Sequence, residues 1–212
     1  MNNLNDWSKS ESKKQVSAWG DRYPKWLIRM YEFMVPGKGS VLDLGCGFGR
    51  FPYWLKNDAP ITFKRTYAGW DSSEGMLEEF HKKYSPTTFP TSLFDFTKPF
   101  KKYFDNVLCA AVFIHLTIEE QQGILLSLSH IQPKRIAFDI NSPPEEWITE
   151  NRADNLHSFE KHTGGFRYTW QSHYKMTEQV LELFPKYIIS VSFYTMPKSG
   201  YHKAIYTLRK GQ

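Results

Sequence analysis

Cysteine is scarce in this chain. Its 212 residues contain two, Cys46 and Cys109, with no Cys-x-x-Cys spacing. That excludes a disulfide framework or a zinc knuckle and suits a reducing compartment. No apolar run approaches the roughly 18 residues that would span a bilayer. The polar start, Met1 to Ser10, has no apolar region of the kind a signal peptide carries. A cytoplasmic protein with no membrane partner is the expectation. A strong excess of one charge is also missing: the chain is only mildly basic, at +5. There are 27 Lys and Arg against 22 Asp and Glu, and the basic residues are scattered, so composition does not demand a nucleic-acid partner. Internal repeats and low-complexity segments are absent. His157, His162 and His173 stand five and eleven residues apart, which fits no closed zinc site, and no metal is expected.

Aromatic residues, by contrast, are abundant: 7 Trp, 12 Tyr and 16 Phe. Part of that excess must lie outside a sheet core, and such side chains suit lids and pockets for flat ligands. With 41% hydrophobic and 23% charged residues, the chain reads as one folded α/β domain with an elaboration, long enough to bury a sizeable core.

Periodicity gives the order of elements. Residues 15–34 return Trp19, Tyr23, Trp26, Leu27, Met30 and Phe33 at helical steps, and Pro24 breaks the run in two. Strands are expected at 40–44, 66–71, 87–93, 105–113 and 135–140, alternating with helices at 51–57, 73–84 and 117–130. Ser72 or Ser73 caps the second of these helices, and Thr117 with Glu120 forms a capping box for the third. That alternation predicts a parallel sheet with helices on both faces. After a short helix at 176–184, strands at 188–194 and 204–208 close the sheet as an antiparallel hairpin. Residues 141–173 exceed the minimal scaffold. They hold Pro143-Pro144, Gly164-Gly165, Trp147, Phe159, Phe166, Tyr168 and Trp170, and are read as a substrate lid at the carboxyl edge of the sheet.

The densest signal is Val41-Leu42-Asp43-Leu44-Gly45-Cys46-Gly47-Phe48-Gly49. A buried strand runs into a turn whose glycines let a ligand approach the backbone. Asp43, a carboxylate inside an apolar strand, needs a partner, and a cationic ligand group would supply one. A dinucleotide fingerprint requires its third glycine at position 50, where this chain has Arg50; a nicotinamide cofactor is therefore disfavoured. Asp71 ends the second strand and is placed to reach ribose hydroxyls across the crevice.

With Asp43 two residues before the first glycine, this pattern resembles motif I of the class I S-adenosylmethionine (AdoMet)-dependent methyltransferases. The resemblance covers about residues 38–210. It implies an α/β three-layer sandwich, a mostly parallel seven-stranded sheet with a C-terminal antiparallel hairpin and helices on both faces, with 1–37 as an N-terminal helical cap. It also implies AdoMet as cofactor and S-adenosylhomocysteine (SAH) as product, held by the turn Gly45, Cys46, Gly47 and Gly49. Ala68 to Leu77 looks like motif II, in which Asp71 would take both ribose hydroxyls with Ser72 and Met76 near the nucleoside. Leu93-Phe94-Asp95-Phe96 resembles motif III, with Asp95 accepting from the adenine amino group and the Phe96 amide facing the ring. Residues 103–116 resemble motif IV, whose strand ends beside the cofactor at Ala110. No Asn/Asp-Pro-Pro-aromatic turn follows that strand, unlike amino-directed nucleic-acid methyltransferases, and no acid ends it, unlike metal-assisted catechol-type enzymes.

His115 is the candidate general base. It follows the fourth strand, where reactive groups gather, and its ordinary pKa suits proton transfer; packing against the next helix is the alternative. His157, His162 and His173 are secondary candidates. The expected reaction is in-line displacement on the sulfonium methyl by an O or N nucleophile of a small or medium-sized acceptor, where alignment alone is worth ~7–11 kcal/mol. RNA or protein as acceptor, or a non-catalytic AdoMet-binding module, are the alternatives.

Overall fold

The computed structural model describes residues 12–14, 16–17, 23–36, 38–59, 66–143, 158–163, 166–195 and 202–211. Helix α1 (Lys25–Met34) starts directly after Pro24, its N-cap; proline suits a helix start and not its interior. There follow β1 (Val41–Leu44), α2 (Arg50–Asn57), β2 (Tyr67–Asp71), α3 (Glu74–His81), β3 (Thr91–Leu93) and β4 (Asn106–Cys109). After a 3₁₀ turn at Phe113–His115 come α4 (Ile118–Ile131), β5 (Arg135–Ser142), β6 (Ser158–Thr163), β7 (Phe166–Gln171), α5 (His173–Leu183), β8 (Tyr187–Thr195) and β9 (His202–Lys210).

Seven of these strands form a sheet of order β3-β2-β1-β4-β5-β9-β8, parallel from β3 to β5, with β9 antiparallel to both β5 and β8. Side chains alternate between its faces. Leu42, Leu44, Val107, Ile136, Phe138 and Tyr206 pack under α4 and α5 on one face. Val41, Leu108, Ala137 and Ile205 pack with α1, α2 and α3 on the other. This is the three-layer sandwich with a terminal hairpin that the sequence pattern implies. The Thr117–Glu120 capping box is present.

Several boundaries differ from expectation, three of them as follows. Strand β3 begins only after Pro90, whose carbonyl still accepts from Gly69 N–H at 2.9 Å; proline has no N–H of its own to extend the ladder. Helix α5 begins at His173, three residues before Met176. Strand β4 stops at Cys109 rather than Phe113, because Ala111 has φ +60°, a left-handed conformation that no strand continues through.

The early end of β4 has a consequence for the segment read as a lid. Its last residue pairs with Phe138, which leaves the end of β5 without a neighbour on that side. Strand β7 takes the place, parallel to β5 at Asn141 opposite Trp170, and β6 pairs antiparallel with β7. The insertion thus adds a hairpin to the carboxyl edge, making nine strands among the described residues. Residues 144–157 of the expected lid lie outside the described residues.

Candidate active site

The glycine turn rises from β1 and is fastened to β2. The N–H groups of Gly45 and Cys46 both donate to the Trp70 carbonyl, at 2.6 and 3.1 Å. Gly45, Gly47 and Gly49 all have positive φ. At Gly47 (φ +54°) a Cβ would meet no atom of the described residues within 4 Å. Among those residues the turn has one bare stretch of left-handed main chain against which a ligand can lie. Cys46 is buried in the turn, and burial pushes its thiol pKa up; it is an inert packing group rather than a nucleophile.

Asp71 closes the turn from the other side. It is 8% exposed, and its two oxygens divide their bonds: Oδ2 accepts Gly47 N–H at 2.8 Å and Oδ1 accepts Ser73 N–H at 2.9 Å. One carboxylate therefore clamps the glycine turn to the start of α3. Each oxygen keeps a lone pair for a further donor such as a ribose hydroxyl. Burial raises its pKa to about 6 against the opposing pull of the N–H bonds. Ser73, not Ser72, is the N-cap of α3, accepting Met76 N–H at 3.1 Å. Ser72 is exposed beside Asp71, and Met76 is buried. Ser12 of the N-terminal segment is buried, with its hydroxyl 3.5 Å from that of Ser73.

Asp43 already has a partner, which the sequence reading assigned to a cationic ligand. The Tyr67 hydroxyl donates to Asp43 Oδ2 at 2.9 Å. Gly69 makes this reach possible: a Cβ there would lie 2.8 Å from the Tyr67 hydroxyl and 2.9 Å from Cys46 Sγ. Burial is the main force raising the Asp43 carboxyl to about 7; the Tyr67 bond opposes it, the Asp71 charge adds to it and Arg50 opposes it. Its folded pKa lies above the ordinary 3.8, so its stabilising contribution is complete below about pH 4 and is lost as pH rises through about 7. Asp43→Asn, which imitates the protonated carboxyl and keeps an acceptor for Tyr67, should therefore gain stability relative to wild type between pH 5 and pH 8. Urea midpoints of both proteins at the two pH values measure it, and an unchanged difference would place the Asp43 titration elsewhere.

Asp95 and Phe96 follow β3. The Asp95 carboxylate is turned to its own loop, accepting the Thr97 N–H and hydroxyl at 3.0 and 2.6 Å and pairing with Lys98 at 3.4 Å. Those bonds, the Thr97 hydroxyl first, hold its pKa down. It is exposed, unlike Asp43 and Asp71. Phe96 stands edge-on to Phe94, which stacks on Trp70 at 5.0 Å, so the loop is anchored to β2 by rings.

Ala110 and His115 both lie on the loop that leaves β4 at the carboxyl edge, and His115 is half-buried in the 3₁₀ turn. This loop is held from all sides. Gln121 Nε2 donates to the carbonyls of Phe113 and Leu116 at 2.8 and 3.2 Å, Thr169 Oγ1 of β7 donates to Leu116 O at 2.7 Å, and Ala111 N–H donates to Asp139 Oδ1 at 2.6 Å. Asp139 is fully buried and its Oδ2 binds Lys203 Nζ at 2.8 Å. The Lys203 ammonium lies 4.8 Å from the centroid of the Trp26 ring in α1. Neither Asp139 nor Lys203 was singled out from the sequence. The signal was there: Asp139 interrupts the apolar run from Ile136 to Ile140 just as Asp43 interrupts its own strand. His173 contacts Ser142, Nδ1 to Oγ 3.0 Å; the His162 side chain and His157 lie outside the described residues. Among the described residues no group of three metal-ligating side chains occurs.

Known proteins point the same way. Residues 41–131 match the model of a family described as a methyltransferase domain. No curated protein sequence matches the chain. Among solved structures, the chain is similar to Burkholderia thailandensis 1,6-didemethyltoxoflavin-N1-methyltransferase with bound 1,6-didemethyltoxoflavin and SAH (14% identity, 95% of this chain and 87% of that one, TM-score 0.63). It is also similar to magnesium protoporphyrin IX methyltransferase from Synechocystis PCC 6803 with bound SAH (14%, 95% and 94%, 0.62). A third likeness is to the N-terminal domain of EvdMO1 in the presence of SAH and D-fucose (17%, 89% and 84%, 0.63).

Proposed function

We propose that the chain, whose residues 41–131 match a methyltransferase-domain family, is an AdoMet-dependent methyltransferase that methylates an O or N nucleophile of a small or medium-sized acceptor by in-line displacement. The observation that carries the cofactor half of this reading is the Gly47 backbone, clamped by Asp71 and left uncovered by the described residues. In the proposal the methionine end of AdoMet lies along Gly45 to Gly49, the ribose hydroxyls take the free lone pairs of Asp71, and the nucleoside rests between Met76 and the Asp95–Phe96 loop. AdoMet supplies an activated methyl group. The chain's task is to align the acceptor, exclude water and accept a proton where the nucleophile carries one.

Two features support a small acceptor. The hairpin β6–β7 sits against the loop after β4, through Thr169 and Leu116, and narrows the carboxyl edge where an acceptor would enter. The similar structures above bind or are named for small molecules. The deciding experiment incubates the protein and AdoMet with the small-molecule fraction of a lysate and, separately, with its RNA and protein fractions, and follows SAH formation. Turnover only with a macromolecular fraction would replace the small-acceptor reading. No turnover with any fraction, alongside tight AdoMet binding, would favour a non-catalytic AdoMet-binding module.

His115 is the proposed base. Its replacement by alanine should lower turnover by the ~10²–10⁴-fold typical of a general base, with SAH affinity by calorimetry unchanged. A loss that is the same at every pH would return His115 to a packing role, since an active base imposes its own titration on the rate.

A further inference from the structure

We propose that Asp139 is a positioning residue for the acceptor-facing loop: with Lys203 as its counter-charge, it holds Ala111 in the left-handed conformation that turns the chain out of β4 toward His115. The functional meaning of that loop rests on the reading above; the mechanical claim rests on geometry alone. Ala111 is a non-glycine residue at φ +60°, where the β-carbon crowds the backbone and an L-residue is disfavoured. Something must compensate, and its N–H donates to Asp139 Oδ1 at 2.6 Å. A bond to an ionised acceptor is shorter and stronger than one to a neutral group. Ionisation at a fully buried site requires a partner, and Lys203 provides it at 2.8 Å with both side chains almost wholly buried. One residue further on, Val112 packs against the cofactor turn, where a Cβ on Gly45 would lie 2.1 Å from its Cγ2. A shift at Ala111 therefore alters the presentation of His115, while the glycine turn stays fastened to β2 through the Trp70 carbonyl.

Lys203 also ties the loop to the N-terminal cap, since its ammonium lies over the Trp26 ring of α1. Cap helix, β9, β5 and the loop after β4 thus meet at one carboxylate. A purely structural ion pair would stabilise the fold with no particular consequence for residue 111.

The test replaces both charges together, Asp139→Leu with Lys203→Met, so that neither is left buried and unpaired. Backbone amide hydrogen exchange is followed in the protein with and without SAH. Amides of residues 112–117 should exchange about tenfold faster in the double variant, while those of 41–49 and the SAH dissociation constant stay within about twofold of wild type. Adding Ala111→Gly should slow the loop again by about fivefold, because glycine takes the left-handed conformation without penalty. Methyl transfer to whichever lysate fraction supports turnover should fall about tenfold in the double variant and recover with the added glycine. Unchanged loop exchange in the double variant, or no recovery with glycine, overturns the proposal. Failure of the wild-type protein to bind SAH would instead overturn the cofactor reading, and the exchange result would still decide the role of Asp139.

Discussion

Replacing Asp71 with alanine is expected to weaken AdoMet binding by at least a hundredfold, about 3 kcal/mol, given that hydrogen bonds to charged groups contribute about 1.5–3 kcal/mol each. Two losses combine. The proposed ribose hydroxyls lose their acceptor, and the Gly47 and Ser73 N–H groups lose the oxygens that hold them at 2.8 and 2.9 Å. The second loss reaches the site itself, because the left-handed turn at Gly47 is fixed by that bond and by the two N–H groups on the Trp70 carbonyl. Asp71→Asn separates the parts. Its single oxygen can serve one N–H, while its NH₂ must face the other donor, so affinity should fall almost as far. Calorimetry with AdoMet and with SAH measures both variants. Affinity within threefold of wild type for the alanine variant would remove Asp71 from the cofactor site.

The pH dependence points the same way. The ionised form of Asp71 is the one that accepts from hydroxyls, and burial has raised its pKa to about 6. AdoMet affinity should therefore decline as pH falls through that value, over and above any change in fold stability.

Much of this was legible in the chain. Alternating strand and helix patterns, the glycines after Leu44 and the Thr117–Glu120 box were enough for the layers and the glycine turn, because each is a local signal: burial periodicity, a φ requirement, a cap. The partner of Asp43 was not legible in the same way. It depends on register, since Tyr67 reaches it only because β2 lies parallel to β1 with Asp43 opposite Gly69. The end of β4 was misread for a related reason. Ala110-Ala111-Val112-Phe113 is as apolar as any strand, and nothing in those four residues announces that an acid 28 positions later, Asp139, will capture the Ala111 amide. Phe166 to Gln171 does alternate aromatic and polar residues, a strand signal that the lid reading passed over; what the sequence did not show is its place in the sheet, which exists because β4 stops short and leaves the end of β5 open. Motif III shows the opposite limit. The residue types at Asp95 and Phe96 fit the pattern, but the carboxylate is turned to Thr97 and Lys98, a competition between neighbours that residue identity does not reveal.

Lys203→Met should be the most destabilising single change outside the cofactor turn. Methionine keeps most of the buried stem but leaves the Asp139 carboxylate, fully buried, with the Ala111 N–H as its one donor among the described residues. Removing one partner of a buried pair typically costs about 3–5 kcal/mol, a large share of the roughly 5–15 kcal/mol that hold a domain together. The contact of the ammonium with Trp26 is lost as well. For a chain of this length each kcal/mol lowers Tm by about 2–4 °C, so a fall of about 6–20 °C is expected. The companion variant separates charge from packing. Asp139→Leu together with Lys203→Met removes the unpaired carboxylate and should recover most of the loss, because apolar replacements of a buried pair are often neutral. The order of the three proteins carries the argument: wild type and double variant close together, single variant far below. If the single and double variants melt together well below wild type, packing rather than the buried charge governs the site. If the single variant melts with wild type, the pair does not hold the loop by charge.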